Sequence, residues 1–175
     1  MRYHPVLVAL HWLSAVLVIA TLFVGFGLLA TIPNEAAGKI DILRWHMAGG
    51  MLILALTIIR LVVRWRTARP AAAPTGNMLL DRLATPAHYG LYLLIVLMVA
   101  TGYATGILAG LPAIVFANSG DPWPSSFAAY PTFTAHFLLA LLLAALIAMH
   151  IVAALYHHIV LKDGLFRRMN FGRRS

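Results

Sequence analysis

Residues 132–160 read TFTAHFLLALLLAALIAMHIVAALYHHIV, a run without Asp, Glu, Lys or Arg. A helix needs about 20 mostly apolar residues to cross a bilayer, so this run predicts a transmembrane helix. Three further apolar runs, at about 6–30, 43–65 and 86–109, predict three more. The pattern therefore predicts an all-α protein, a four-helix transmembrane bundle that forms a single membrane-embedded domain over residues 1–175.

The composition supports a membrane protein and excludes several classes of chemistry. Hydrophobic residues make up 62% of the 175 residues and charged residues only 10%, whereas a soluble domain has about 25% charged residues. An ordinary soluble globule and a disordered chain are therefore excluded. The chain has no cysteine, which excludes disulfides, cysteine-ligated iron–sulfur clusters, thiol catalysis and thioether-linked haem.

The distribution of Lys and Arg predicts the topology. Thirteen cations against five acids give a net charge of +8. Lys39 and Arg44 fall on one side of the predicted spans, and the others fall on the opposite side: Arg2, Arg60, Arg64, Arg66, Arg69, Arg82, Lys162, Arg167, Arg168, Arg173 and Arg174. Positive loops stay inside, so both termini are expected in the cytoplasm. No soluble face is long enough for a nucleic-acid site.

Four histidines lie within the predicted spans, where ionisable residues mark function by default. His46 and His136 are both near the outer face, and His11 and His150 are both in the cytoplasmic half. His136 and His150 are 14 residues apart, which brings them to within about 40° of one helix face and about 21 Å apart along the axis. The depths therefore predict two pairs of imidazoles, one above the other.

Three interpretations of these pairs remain open from the residues alone. Each pair could hold a metal-centred macrocycle through two axial nitrogens, or each histidine could be a polar packing group between helices. A zinc site would want carboxylates or cysteine beside the histidines, and the spans offer neither. Gly102 and Gly106 suit both a flat ligand and a close helix contact.

The order and spacing of these residues resemble one known family. The chain is similar to the bacterial cytochrome b561 family, di-haem b membrane proteins of four helices, at His11-Trp12-Leu13, His46, Ala87-His88, Tyr92, His136, His150, His157-His158 and Lys162-Asp163. The resemblance spans about residues 3–169. It departs at Ala135 and Phe137, where family members often have Trp and an acid.

The resemblance implies two haem b groups and an electron-transfer function. One haem would be ligated by His11 and His150 near the cytoplasm, and the other by His46 and His136 near the outer face. Because the family includes superoxide oxidase, it implies an oxidoreductase that oxidises superoxide outside and reduces ubiquinone near the cytoplasm. The outer loop around 118–123 has no basic residue to attract an anion.

Two other functions remain as alternatives. The chain could be the cytochrome b subunit that links an outer dehydrogenase or another donor to the quinone pool. It could also be a haem-free bundle that uses histidine pairs structurally or for proton conduction.

Within the electron-transfer interpretation, His157 and His158 are expected as the catalytic residues that bind ubiquinone, with His88 as a further quinone candidate. Interfacial anchoring explains them as well. Arg60 and Arg64 are expected to bind haem propionates, since guanidinium groups suit carboxylates. Positive-inside anchoring is the simpler explanation of both arginines.

Overall fold

The computed structural model describes residues 2–34, 36, 38–68, 70–71 and 73–170. Three of the cations used for the topology, Arg69, Arg173 and Arg174, lie outside the described residues. In the described part of the chain, four helices are long and apolar enough to cross a membrane. The prediction of an all-α chain with four spans is thus confirmed.

The helices are α1 (Pro5–Phe23), α2 (Lys39–Arg66), α3 (Met78–Leu108), α4 (Leu111–Phe116) and α5 (Pro131–Tyr156). Pro5 and Pro131 stand in the first turns of α1 and α5, where the missing N–H of proline has no intrahelical partner to lose.

Two of the spanning helices end in a turn of π-helix. Val24–Leu29 continues α1, and His157–Leu161 continues α5. Such wide turns occur often at functional sites, and the second one begins at a candidate quinone residue.

The predicted starts of two helices are too late. α3 begins eight residues before the predicted residue 86, and α2 begins four residues before residue 43. At α3 the reason is a capped turn, in which Asn77 Oδ1 accepts hydrogen bonds from the N–H groups of Leu79 and Leu80 at 2.9 and 3.3 Å. Hydropathy marks the part of a helix that suits lipid, whereas capping lets the helix continue into water.

The outer loop at 110–131, predicted to be irregular, contains α4 and a 3₁₀ turn at Phe127–Ala129. Leu111, Ile114 and Val115 of α4 are buried, and α2 packs against them through Leu43 and Met47. Arg44 Nε of α2 donates a hydrogen bond to the Val115 carbonyl at 2.8 Å, and this bond holds α4 against α2.

The spanning helices pack in a particular pattern. α3 runs closely along α5, α1 along α2, and α2 along α3. α5 meets α1 and α2 through side chains at mid-depth, where Val18, Ile53 and Leu143 are buried together. This middle layer lies between the levels of the outer and inner histidines.

The last described residues fold back under α1. A 3₁₀ turn at Leu165–Met169 brings the Met169 carbonyl to Trp12 Nε1, which donates to it at 2.8 Å. The Tyr3 N–H donates to the Arg168 carbonyl at 3.3 Å, and Arg168 Nη1 donates to the Ala71 carbonyl at 2.6 Å. The segment after α5 is therefore held against the cytoplasmic end predicted from the charges.

Candidate functional site

The structure brings the four histidines of the spans together as two pairs. His46 of α2 faces His136 of α5 with ring centroids 6.2 Å apart and ring planes at 76°. His11 of α1 faces His150 of α5 with centroids also 6.2 Å apart and planes at 70°. Each pair joins α5 to the α1–α2 half of the bundle, above or below the middle layer.

The separation of the rings suits a metal between them. Two metal–nitrogen bonds of about 2 Å each, plus the distance from each nitrogen to its ring centre, put two axial imidazoles roughly 6 Å apart. An edge-to-face ring contact has a similar separation. The hydrogen bonds of the ring nitrogens show which ring atoms remain available to bind a metal.

Several nitrogens of the four rings have no hydrogen-bond partner within the described residues. His136 Nδ1 lies 2.9 Å from the Met98 carbonyl, which fixes the tautomer and frees Nε2 for a metal. Nδ1 of His11 and of His46 is buried without a hydrogen bond to a described residue, although the Thr21 backbone lies near His46. Nε2, the nitrogen on the other side of each ring, is not engaged by a hydrogen bond to a described residue in any of the four histidines.

Glycines leave room for two of the rings. A Cβ on Gly102 would lie 2.9 Å from His136 Cε1 and 3.0 Å from its Nδ1, too close for either to stay in place. A Cβ on Gly25 would lie 3.4 Å from His46 Cε1. Gly102 is therefore needed for the position of His136 itself.

Arg60 and Arg64 lie near the C-terminal end of α2, half-buried. Neither forms an ion pair with a carboxylate within the described residues. The Arg60 guanidinium lies 5.3 Å from the centre of the Tyr92 ring. A cation in a membrane helix needs an anionic partner, and a haem propionate would supply one to Arg60.

His157 and His158 have different surroundings in the turn of π-helix that continues α5. His157 is buried, and its Nδ1 lies 2.5 Å from Asp163 Oδ2. His158 is exposed and packs against Phe166, with ring centroids 5.3 Å apart. The fold-back segment thus supplies a partner to each histidine.

Asp163 is held in its ionised form. Burial alone would raise the pKa of Asp163, but its hydrogen bonds with His157 and the Leu165 N–H, together with the nearby Arg168 charge, lower it overall. A carboxylate whose pKa is below its usual value of about 4 stays charged at neutral pH. The Asp163 carboxylate therefore accepts a hydrogen bond from His157 Nδ1.

His88 lies apart from the His157–Asp163 pair. It contacts His150 instead, with ring centroids 5.3 Å apart and planes at 88°. The inner level thus contains three histidines on three helices, whereas the outer level contains two.

Comparison with known proteins agrees with this arrangement. The sequence model of the prokaryotic cytochrome b561 family matches residues 2–172. This chain belongs to that family. Cytochrome b561 homolog 2 of Escherichia coli K12 is 32% identical over 96% of this chain and 90% of its own length. A protein of Yersinia pestis named probable superoxide oxidase CybB is 30% identical over 96% of this chain and 95% of its own length.

Family membership makes the chain a multi-pass membrane cytochrome b that transfers electrons and carries haem b. Its residues fit that cofactor, because facing imidazoles, a glycine that cannot carry a side chain and a half-buried arginine without a carboxylate partner occur together. Lipid is the surrounding partner of the four spans.

Some contacts of this cytochrome b561 could not be read from its residue pattern. The Met98 carbonyl is a backbone group, and every residue has one, so no sequence signal marks it. The contact between His88 and His150 depends on how α3 is rotated against α5. Asp163 is visible in the sequence, but its pairing with His157 requires the turn made by Lys162 and Gly164, both with positive φ.

Replacing Gly102 with Ala is expected to lower the haem content, because the new Cβ displaces His136. Disturbing the support of a metal ligand lowers affinity by about 10–100-fold, so the pyridine haemochrome assay should find less haem per chain. Gly106→Ala is the matched control one turn along α3, where the added Cβ lies 3.4 Å from the flexible end of Met47. Equal haem content in the two variants would contradict this role of Gly102.

Proposed function

We propose that this cytochrome passes electrons from a donor at the outer face through two haem b groups to ubiquinone near the cytoplasm. The observation that carries the proposal is the pair of facing histidines at each of two depths, with the same 6.2 Å separation. Haem b held between two imidazoles supplies one-electron transfer and has no open position for oxygen. His46 and His136 hold the outer group, and His11 and His150 hold the inner one.

The proposed orientation places both termini in the cytoplasm and the bundle in the bacterial inner membrane. Arg60, Arg64 and Arg66 at the end of α2 support it, as do Lys162 and Arg168 after α5. Arg60 and Arg64 then face the inner haem, where they would bind its propionates.

The middle layer keeps the two haem levels separate. Val18, Ile53 and Leu143 exclude water at mid-depth, and the 14 residues from His136 to His150 rise by about 21 Å. Flat groups held at these two levels have edges much nearer than their centres. The bundle therefore provides a dry electron path without a further cofactor.

At the cytoplasmic end, His157 is the proposed proton donor to ubiquinone. The carboxylate of Asp163 accepts a hydrogen bond from Nδ1 and would stabilise the imidazolium form of His157, while Nε2 makes no hydrogen bond to a described residue. Nε2 can therefore donate to a quinone carbonyl oxygen. His158, exposed and stacked on Phe166, is the second proposed contact for the quinone ring.

Superoxide is the proposed donor. Support comes from the relative in Yersinia pestis whose name is probable superoxide oxidase. Two superoxide ions would each lose one electron and leave as O₂, while ubiquinone gains two electrons and two protons to become ubiquinol.

The outer face favours a second candidate donor, a docked dehydrogenase or other protein. Arg44 pairs with Asp41 and with the Val115 carbonyl, and Lys39 Nζ donates to the Ile32 carbonyl and to Asn34 Oδ1 at 2.5 and 2.8 Å. Asp121 adds an exposed negative charge. This surface attracts an anion only weakly.

Superoxide mixed with the oxidised protein in a stopped-flow instrument is expected to reduce both haems, and added ubiquinone should return them to the oxidised state. Superoxide dismutase, included as a control, should abolish the reduction. If the haems stayed oxidised in the presence of superoxide, superoxide would be excluded as the donor. If they were nevertheless reduced by a co-purifying outer subunit and its substrate, the second candidate would replace it.

Replacing His157 with Ala is expected to slow the oxidation of reduced haem by ubiquinone about 10²-fold, because the proton donor is lost. Asp163→Asn should slow the same step less, since the imidazole remains but its charged form loses the carboxylate. The absorption spectra of both haems should persist in each variant, and exposed His4→Ala serves as the control. Unchanged quinone kinetics in His157→Ala would contradict the assignment.

A further inference from the structure

The ring of His88 stands beside the ring of His150 in a defined orientation. Their centroids are 5.3 Å apart and their planes are nearly perpendicular, at 88°. This is closer than the 6.2 Å of either facing pair. The separation leaves no room for a metal between the two rings, but it suits an imidazole N–H pointing at the nitrogen of another imidazole, about 3 Å away.

The tautomer of His88 is determined by its other contact. His88 Nδ1 lies 2.6 Å from the Ala84 carbonyl one turn earlier on α3. A carbonyl only accepts, so Nδ1 carries the hydrogen and the neutral ring has its lone pair on Nε2. His88 is therefore a hydrogen-bond acceptor on its free side.

His150 needs such an acceptor when it binds iron. A metal-bound histidine almost always donates its second N–H to a carbonyl, carboxylate or water, which fixes its orientation and increases its basicity. The Met98 carbonyl of α3 has this position beside His136. His150 makes no hydrogen bond to a described residue, and His88, also on α3, is the acceptor beside it.

We propose that His88 is a positioning residue for the inner haem, which accepts a hydrogen bond from His150 and lowers the midpoint potential of that haem. The inference rests on the proposed ligation by His11 and His150. An imidazole acceptor makes His150 a stronger electron donor to iron, which stabilises the oxidised form. The two haems thus differ in this support, because α3 offers a backbone carbonyl at the outer level and a side chain at the inner one.

The test is a redox titration of the purified, haem-containing protein, read optically. His88→Leu removes the acceptor, His88→Gln retains one in its amide oxygen, and Tyr89→Phe is the control at the next position on α3. The inner haem is assigned with His46→Ala, which retains that haem alone. Low-temperature electron paramagnetic resonance reports the ligand field of each haem independently of activity.

His88→Leu is expected to shift the equilibrium sharing of an electron between the haems about tenfold toward the inner one, which is about 59 mV for one electron. The inner-haem resonance should shift with it, while the outer haem is unaffected. His88→Gln should lie between His88→Leu and the unmodified protein, and Tyr89→Phe should match the unmodified protein. If His88→Leu does not accumulate, a shift in His88→Gln relative to Tyr89→Phe carries the test.

Three results would overturn the proposal. The inner-haem potential and resonance could be the same in all variants. Ubiquinone reduction could slow with unchanged potentials, which would make His88 a quinone contact. His88→Leu could lose the inner haem while His150→Ala retains it, which would make His88 the axial ligand. An unmodified protein without an inner haem would instead contradict the proposed function.

Discussion

Four imidazoles on the membrane-spanning helices constrain the rest of this bundle. A polar group left without a partner in an apolar medium costs roughly 2–7 kcal/mol, yet Nδ1 of His11 and of His46 is buried without a hydrogen bond to a described residue. Each of the four rings faces another across the boundary between α5 and the α1–α2 half. In the proposed function, haem b at each level would make these rings the link between the two halves of the bundle.

The other features of the bundle follow from holding these rings in place. α3 packs along α5 and contacts both α5 histidines, through Met98 at the outer level and His88 at the inner one. Gly102 lets α3 approach His136, and α4 packs on α2 through Leu43 and Met47. At the other end, the fold-back segment brings Asp163 to His157. One helix therefore supports both histidines of α5, and in the proposed function the two ends of the bundle exchange electrons with the donor and the acceptor.

The sequence predicts the spans well because a helix that crosses lipid must be apolar over about 20 residues. The all-α fold follows from four such runs. It places the start of α3 poorly, because Asn77 caps a polar first turn that hydropathy does not see. It also predicts which histidines share a depth, since 1.5 Å per residue converts position into height. The sequence does not reveal how each helix is rotated about its axis. The contact of His88 with His150 therefore depends on packing that only the structure shows.

The most direct test of two haem levels counts the haems and identifies their ligands in one preparation. A pyridine haemochrome assay against protein mass, combined with electron paramagnetic resonance, gives both. The account predicts two haem b per chain, each low-spin with two imidazole ligands. A single haem per chain, or a high-spin iron with an open coordination position, would contradict the pairing of His11 with His150 and of His46 with His136.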